Sequence, residues 1–176
     1  MNKIHYAMQF ATHGHWGQFR KYTRAPYINH PMRVAYHVGL YSNHEDDVCV
    51  GWLHDMMEDC DVEYIVLEGM FGKKVADLVQ ELTNVYTSKA FPDFNRKRRK
   101  ELELIRLEGI SSPAKLVKLI DRWDNLNEIP LTERGFLVKY LKESRALADT
   151  IKGVCSYWDV QLDETISRLE KEVKHA

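Results

Sequence analysis

The segment GWLHDMMEDCD, residues 51–61, concentrates five ionisable side chains within eight positions: His54, Asp55, Glu58, Asp59 and Asp61. Apolar residues surround them in a pattern that is typical of a buried helix. Burying unpaired carboxylates is costly, so such groups are usually avoided, paired or bound to a metal. Imidazole combined with carboxylates suits a divalent metal of intermediate hardness, such as manganese or iron, at least as well as zinc.

The spacing of these side chains limits what they can bind together. If residues 45–59 form one helix, His54 and Asp55 point about 100° apart, so a metal can lie between them but needs further ligands. Glu58 then follows His54 by one turn, and Asp59 follows Asp55 by one turn. Two adjacent faces of the predicted helix would each carry a ligand and a second carboxylate.

Two residues elsewhere in the chain are candidates for the missing ligands. His30 lies in PYINHP, just before a predicted helix start, and Asp121 lies in the strongly apolar KLVKLIDRWDNL. A lone histidine in a turn also commonly bonds to the backbone, and Asp121 can instead form a surface ion pair with Arg122. The residue types alone therefore leave a metal site and ordinary polar contacts both open.

Composition favours one cytoplasmic domain. A chain of 176 residues suits a single domain, and a net charge of −1 gives no bulk attraction to nucleic acid or anionic lipid. The three cysteines form no CxxC pair, which favours a reducing compartment. No apolar run reaches transmembrane length and the N-terminus lacks a signal-peptide core. We expect no nucleic-acid or membrane partner; the oligomeric state is left open.

Helical periodicity dominates the chain, and no segment alternates convincingly with period two. Proline in a first turn, or directly after a capping serine, marks two of the predicted starts. The predicted helices are 3–19, one opening near Pro31, 45–59, one from an Asp61 cap to about Met70, one following Gly72, one starting at Ser112-Pro113, 133–152 and 160–174, with main loops at 20–29 and 86–95. We predict an all-α fold that forms a single domain over residues 1–176.

Six segments occur in an order and with gaps that point to a known family: HWGQFRK (15–21), PYINHP (26–31), LHDMMED (53–59), FGKKVADLVQELT (71–83), SSPAKLVKLIDRWDNL (111–126) and, more weakly, KYLKESRALADTIKGV (139–154). Together they resemble the HD-domain hydrolases of the RelA/SpoT family. The resemblance is specifically to the small stand-alone alarmone hydrolases, which lack a synthetase domain. It implies an all-helical HD bundle, in agreement with the periodicity.

The resemblance also implies an activity and a set of roles. The family removes the 3′-pyrophosphate from ppGpp and pppGpp, usually with manganese; iron and zinc are the other metals to consider. Glu58 and Asp59 fall on the family's catalytic acid pair, which would position a water and accept its proton. The implied metal ligands are His30, His54, Asp55 and Asp121.

A highly anionic nucleotide needs cations and a platform for its base. The family's arginine at position 20 stacks its planar guanidinium against guanine, a use that lysine copies poorly. The run NRKRRKE (95–101) can supply phosphate contacts, although a solvated helix face is the commoner role of such runs. The candidate substrate contacts are Arg20, Lys21, Asn125, Tyr140, Arg96 and Lys97.

Two departures from the family pattern leave the nucleotide open. Asp93 stands where many relatives carry lysine, and Phe136 stands where some carry arginine. The alternative substrate class is another nucleotide, such as the 2′-phosphate of NADPH. A non-catalytic nucleotide-binding module is a further alternative, although the intact His-Asp and Glu-Asp pattern argues for an active enzyme.

Overall fold

The computed structural model describes residues 2–175, and in that range it contains helices and no strand. An isolated bridge between Phe19 and Pro26 is the one β-type pairing among the described residues. The all-α prediction is therefore confirmed. No helix within residues 2–175 is long and apolar enough to cross a membrane. The chain divides into two compact units, Met1–Thr83 and Asn84–Ala176.

The first unit is built around its third helix, which packs against the first, second and sixth. Small and branched side chains fill the interior, including Ala7, Val34, Val50, Leu53 and Val75. The fifth helix packs on the sixth. In chain order the helices are α1 (Lys3–Gly14), α2 (Asn29–Tyr41), α3 (Glu45–Leu53), α4 (Met56–Asp59), α5 (Tyr64–Phe71) and α6 (Lys73–Leu82).

The backbones of α2 and α3 approach each other most closely at Gly51. A Cβ atom added there would lie 2.6 Å from the Cα atom of Ala35 and 3.0 Å from its backbone nitrogen. Only glycine fits so near another backbone without moving it. This close crossing positions the segment that follows α3, because Gly51 lies only three residues before His54.

We expect Gly51→Ala to lower the free energy of unfolding by about 2 kcal/mol, since the new methyl group overpacks backbone rather than a flexible side chain. Gly69→Ala is the matched control, because Gly69 is exposed in α5 and an added Cβ there meets no atom within 4 Å. The control should be neutral or stabilising by less than about 1 kcal/mol. Equilibrium urea unfolding of both variants measures the difference. Equal stability of the two would contradict the proposed close crossing.

The prediction of one continuous helix over residues 45–59 is wrong, because the helix is interrupted. α3 ends at Leu53, and Asp55 adopts φ −96° and ψ −2°, a conformation between helix and turn, before α4 begins. The Nδ1 atom of His54 lies 2.9 Å from the carbonyl oxygen of Gly51. A regular helix would direct that carbonyl to the amide of Asp55. The interruption therefore changes the directions in which the side chains of His54 and Asp55 point.

Other boundaries also differ from the predictions. α1 stops at Gly14 rather than residue 19, because His15 caps it and Gly17 turns the chain with φ 79°. Asp61 is not a cap: it has φ 51°, and α5 begins after Glu63. Near each of these boundaries a residue in the left-handed region turns the chain, which the periodicity of apolar residues does not reveal.

In the second unit, α10 packs on α8 and α9, and α7 packs on α9. Ser111, one residue earlier than predicted, is the N-cap residue of α8, with Pro113 in the first turn. The predicted loop at 86–95 is confirmed, since no helix lies between Leu82 and Arg96. The helices are α7 (Arg96–Glu108), α8 (Ser112–Glu128), α9 (Arg134–Ile151) and α10 (Ser156–His175), with a short 3-10 turn at Leu131–Glu133.

Candidate metal centre and active site

Three donor atoms of the first unit converge where α2 and the end of α3 meet. The Nε2 atoms of His30 and His54 are 3.2 Å apart. The Oδ2 atom of Asp55 lies 3.6 Å from the first nitrogen and 3.3 Å from the second. Both histidines are buried, at 1% and 3% exposure. The first unit thus brings together the three predicted ligands that it contains, from two separate parts of the chain.

Hydrogen bonding fixes how these donors point. Because the carbonyl of Gly51 can only accept, the Nδ1 atom of His54 carries a proton, and in the neutral ring its Nε2 atom then carries a lone pair. That lone pair faces His30 and Asp55. Two imidazole nitrogens and a carboxylate oxygen within such short reach of one another are the donor set of a divalent transition metal. The three residues therefore fit the predicted metal.

Tyr27 joins the predicted ligand to the predicted acid pair. Its hydroxyl lies 2.8 Å from the Oδ2 atom of Asp55 and 2.8 Å from the Oδ2 atom of Asp59. A phenol has one proton, so it donates to one carboxylate at a time. Burial, followed by the two nearby carboxylates, raises the pKa of Tyr27, which stays protonated. The hydroxyl therefore acts as a fixed donor between the two aspartates.

Asp59 is held by more than Tyr27. Gln18 donates from Nε2 to its backbone carbonyl at 2.9 Å, and the Oε1 atom of Gln18 contacts His15 Nδ1 at 2.8 Å. The His15 ring stacks on Tyr27 with 4.6 Å between ring centroids. Burial, and then the charge of Asp55, raise the pKa of the Asp59 carboxyl. His15 thus caps α1 and packs beside the site.

The remaining predicted residues of the first unit lie nearby in sequence but differ in burial. Glu58 lies on α4, and its side chain is exposed. Arg20 is 9% exposed, and its guanidinium carbon lies 5.1 Å from the centroid of the Tyr27 ring. Lys21 is exposed and donates to the hydroxyl of Tyr22 at 3.2 Å. Arg20 is therefore already stacked on an aromatic ring of the candidate site.

In the second unit, Asp121 lies on α8 and is buried, at 7% exposure. Its Oδ2 atom lies 3.1 Å from the Lys118 ammonium, and Asn125 donates to its Oδ1 atom. Asn125 and Asp121, four residues apart, therefore share one side of α8. The alternative of a surface ion pair with Arg122 is disfavoured, because the carboxylate is buried and has Lys118 beside it.

Tyr140 lies on α9, where Phe136 stacks on it at 5.4 Å and the Arg122 guanidinium lies 4.4 Å from its centroid. Burial raises the pKa of Tyr140, whose phenol stays neutral. The aromatic side chain at position 136 thus supports the ring of Tyr140. Phe136, Tyr140 and Arg122 therefore form one packed stack of two aromatic rings and a guanidinium group.

The two basic residues predicted from NRKRRKE are placed differently from each other. Arg96 donates to both carboxylate oxygens of Glu143, at 2.7 and 2.9 Å. Lys97 has a side chain that is 86% exposed and lies 3.9 Å from Glu101. Arg96 is therefore held in a bidentate ion pair, while Lys97 lies on a solvent-exposed face of the helix.

Sequence reasoning missed Tyr27 and Gln18 as site residues. Both lie in matched segments, HWGQFRK and PYINHP, which was the signal available. Neither residue type is a usual metal ligand, so chemistry alone gave no reason to select them.

The fold and the His-Asp pair define a class of protein. A family model described as HD domain matches residues 7–143, and the chain belongs to the HD-domain hydrolases.

Within that class, the chain is similar to curated pyrophosphohydrolases along most of its length. It is 35% identical to guanosine-3′,5′-bis(diphosphate) 3′-pyrophosphohydrolase MESH1 of Mus musculus, over 94% of this chain and 92% of the relative. It is 34% identical to MESH1 of Homo sapiens, over 96% and 89% of the two chains. A solved structure, described as a metazoan ortholog of SpoT that hydrolyzes ppGpp, matches with a TM-score of 0.83 at 27% identity and covers 96% of each chain.

Proposed function

We propose that this chain hydrolyses the 3′-pyrophosphate of guanosine alarmones, converting ppGpp to GDP and pppGpp to GTP with release of pyrophosphate. The observation that carries this proposal is the convergence of His30, His54 and Asp55 in a chain that is similar to such hydrolases over most of its length. The departures at Asp93 and Phe136 concern substrate affinity and leave these three residues unaffected.

We propose that His30, His54, Asp55 and Asp121 hold one divalent metal, with manganese preferred and iron or zinc as alternatives. The motif around Asp121 and its burial on an apolar helix support its place among the ligands. A metal cation would join Lys118 there in neutralising the charge of the buried carboxylate. When bound, such a metal lowers the pKa of a water and polarises a phosphoryl oxygen.

We assign the proton chemistry to Glu58 and Asp59. Tyr27 and Gln18 fix Asp59 from the side chain and from the backbone, so its carboxylate keeps one orientation. Glu58 is exposed and so can reach a bound nucleotide and its attacking water. Two carboxylates with different surroundings can divide the tasks of orienting the water and accepting its proton.

Six residues are proposed to contact the nucleotide. Arg20 would present its guanidinium face to the guanine while Tyr27 supports its other face. Asn125 would contact the sugar, and Tyr140 offers a firmly packed ring. Phosphate contacts are proposed for the cations Lys21, Arg96 and Lys97. We also propose a cytoplasmic location, consistent with cysteines that are all free.

Turnover of ppGpp and NADPH, each assayed with the manganese-loaded protein, tests the function. Identification of GDP and pyrophosphate from ppGpp, with slower phosphate release from NADPH, is the expected result. Faster release of phosphate from NADPH would show that the substrate is another nucleotide rather than the alarmone. Binding of either nucleotide without turnover would instead indicate a regulatory module. Elemental analysis of the same preparation identifies the metal.

Tyr27→Phe should lower kcat for ppGpp by roughly tenfold or more, because a hydrogen bond to a charged group is lost at Asp59. The KM should change little, since the ring that supports Arg20 remains. The matched control is Tyr64→Phe, which also removes a 2.8 Å hydrogen bond from a tyrosine to an aspartate, Asp77, elsewhere in the same unit.

Steady-state kinetics and metal titration of both variants separate positioning from folding. The prediction requires kcat to fall in Tyr27→Phe alone, with metal still bound. If the two variants lost activity equally, the Tyr27 hydroxyl would have no special role in orienting Asp59.

A further inference from the structure

The second unit contains a cavity of about 650 Å³ between α7, α8 and α9. Its inner wall is apolar and is formed by Leu104, Leu107, Ala146 and Leu147. The space is large enough for a small ligand. All the residues that line it belong to the Asn84–Ala176 unit.

The cavity carries a strong excess of positive charge. Seven cationic side chains line it, against three glutamates, which leaves four positive charges in excess. Arg96 and Lys97 come from the basic run already described. The other five cations, which carry the inference, are Lys100, Lys118, Arg122, Lys139 and Lys142.

Lys118 already lies 3.1 Å from the Oδ2 atom of Asp121, and two of the glutamates make short contacts with other partners. Glu143 forms the bidentate ion pair with Arg96. Glu103 is 5% exposed; it pairs with Arg106 and accepts from the backbone amides of Val85 and Tyr86 at 3.3 and 3.1 Å. The short contacts of Glu143 and Glu103 are therefore made with arginines and backbone amides.

Lys100 and Lys118 are partly withdrawn from water, whereas Lys139 and Lys142 are exposed. Lys118 is 9% exposed. Burial first, and then the nearby charge of Arg122, lower the pKa of Lys100. Like charges that face one low-dielectric space repel, and an anion placed among them relieves both the repulsion and the lost hydration.

We propose that this cavity binds a compact polyphosphate anion, of which inorganic pyrophosphate is the simplest example. The cations come from three helices, so they can surround several phosphoryl oxygens rather than one. An excess of three positive charges, which remains once Lys118 is assigned to Asp121, matches a diphosphate better than a monocarboxylate or an apolar ligand. The inference needs neither Arg96 nor Lys97, and it holds whether or not the chain hydrolyses ppGpp.

Isothermal titration of metal-free protein with sodium pyrophosphate tests the site, and removal of metal prevents chelation from contributing to the signal. The parent should bind saturably, with an affinity that falls as salt rises. The Lys100→Gln/Lys142→Gln double variant should bind about tenfold more weakly or worse. The control, Lys152→Gln, removes an exposed lysine that lies 3.5 Å from Asp149 and outside the cavity; it should bind as the parent does.

A further arm separates this cavity from the candidate metal centre. Asp55→Ala in the metal-free state should bind pyrophosphate with the affinity of the parent. Loss of binding in that variant would place the anion at the metal centre and overturn the proposal. Absence of saturable binding in the parent, or equal affinity of the parent and the double lysine variant, would overturn it as well. In that case the lysine stems would simply cover the leucines while their ammonium groups face water.

Discussion

Asp55→Ala is expected to abolish both metal binding and ppGpp hydrolysis. The Oδ2 atom of Asp55 contacts all the main parts of the first unit's candidate site: the two histidine nitrogens at 3.6 and 3.3 Å and the hydroxyl of Tyr27 at 2.8 Å. Its removal deletes one of the two carboxylates among the four proposed ligands and leaves only imidazoles from the first unit. Metal affinity should fall by more than about a hundredfold, since even groups that only support ligands cost ten- to a hundredfold.

The measurement combines metal titration, turnover of ppGpp and equilibrium unfolding. Asp77→Ala is the matched control, because Asp77 also accepts from a tyrosine, Tyr64, and pairs with Lys73 at 2.8 Å. The control should keep metal, turnover and stability. A purified Asp55→Ala protein that folds normally and retains metal and activity would show that the converging atoms are not a metal centre.

The helices of this chain were largely predictable because their burial follows their sequence period. In α6 the buried residues Val75, Leu78, Val79 and Leu82 recur at the spacing of one helix face. The end of α9 was also placed within one residue, where the predicted 133–152 compares with Arg134–Ile151. Local pattern suffices where one face of a helix packs against the core.

The interruption at His54 and Asp55 was not predictable from that pattern. The apolar residues on either side, Leu53 and Met56, keep a spacing that a continuous helix also satisfies. What separates the two outcomes is the contact between His54 and His30, which are 24 residues apart in sequence. A conformation that is set by a long-range contact leaves no local signal.

The candidate site was predictable in its chemistry and not in its supports. Imidazole and carboxylate identify themselves as ligands by residue type. Tyr27 reaches Asp59 across 32 residues, and Gln18 reaches it across 41, so only the fold reveals these contacts. Arg96 shows the same limit, because its partner Glu143 lies 47 residues away. A basic run in the sequence does not show which of its members are already paired.

Glu58→Ala should keep the metal and lose turnover by at least about a hundredfold, the usual contribution of a positioned acid or base. Glu58 is exposed on α4, outside the three atoms that converge from His30, His54 and Asp55. Its loss therefore removes proton handling while the ligands remain. Asp55→Ala and Glu58→Ala then lose activity for different reasons, which a metal titration distinguishes.

The control for Glu58 is Glu63→Ala, an exposed glutamate that precedes α5 and makes no capping hydrogen bond from its side chain. Single-turnover kinetics with ppGpp should show a slow chemical step in Glu58→Ala and a parental rate in Glu63→Ala. A parental rate in both variants would leave Asp59 to accept the proton alone. Metal loss in Glu58→Ala would make Glu58 a ligand instead. A hundredfold loss in Glu58→Ala with the metal retained would mean that Glu58 acts on the water beside Asp59, which Tyr27 and Gln18 orient.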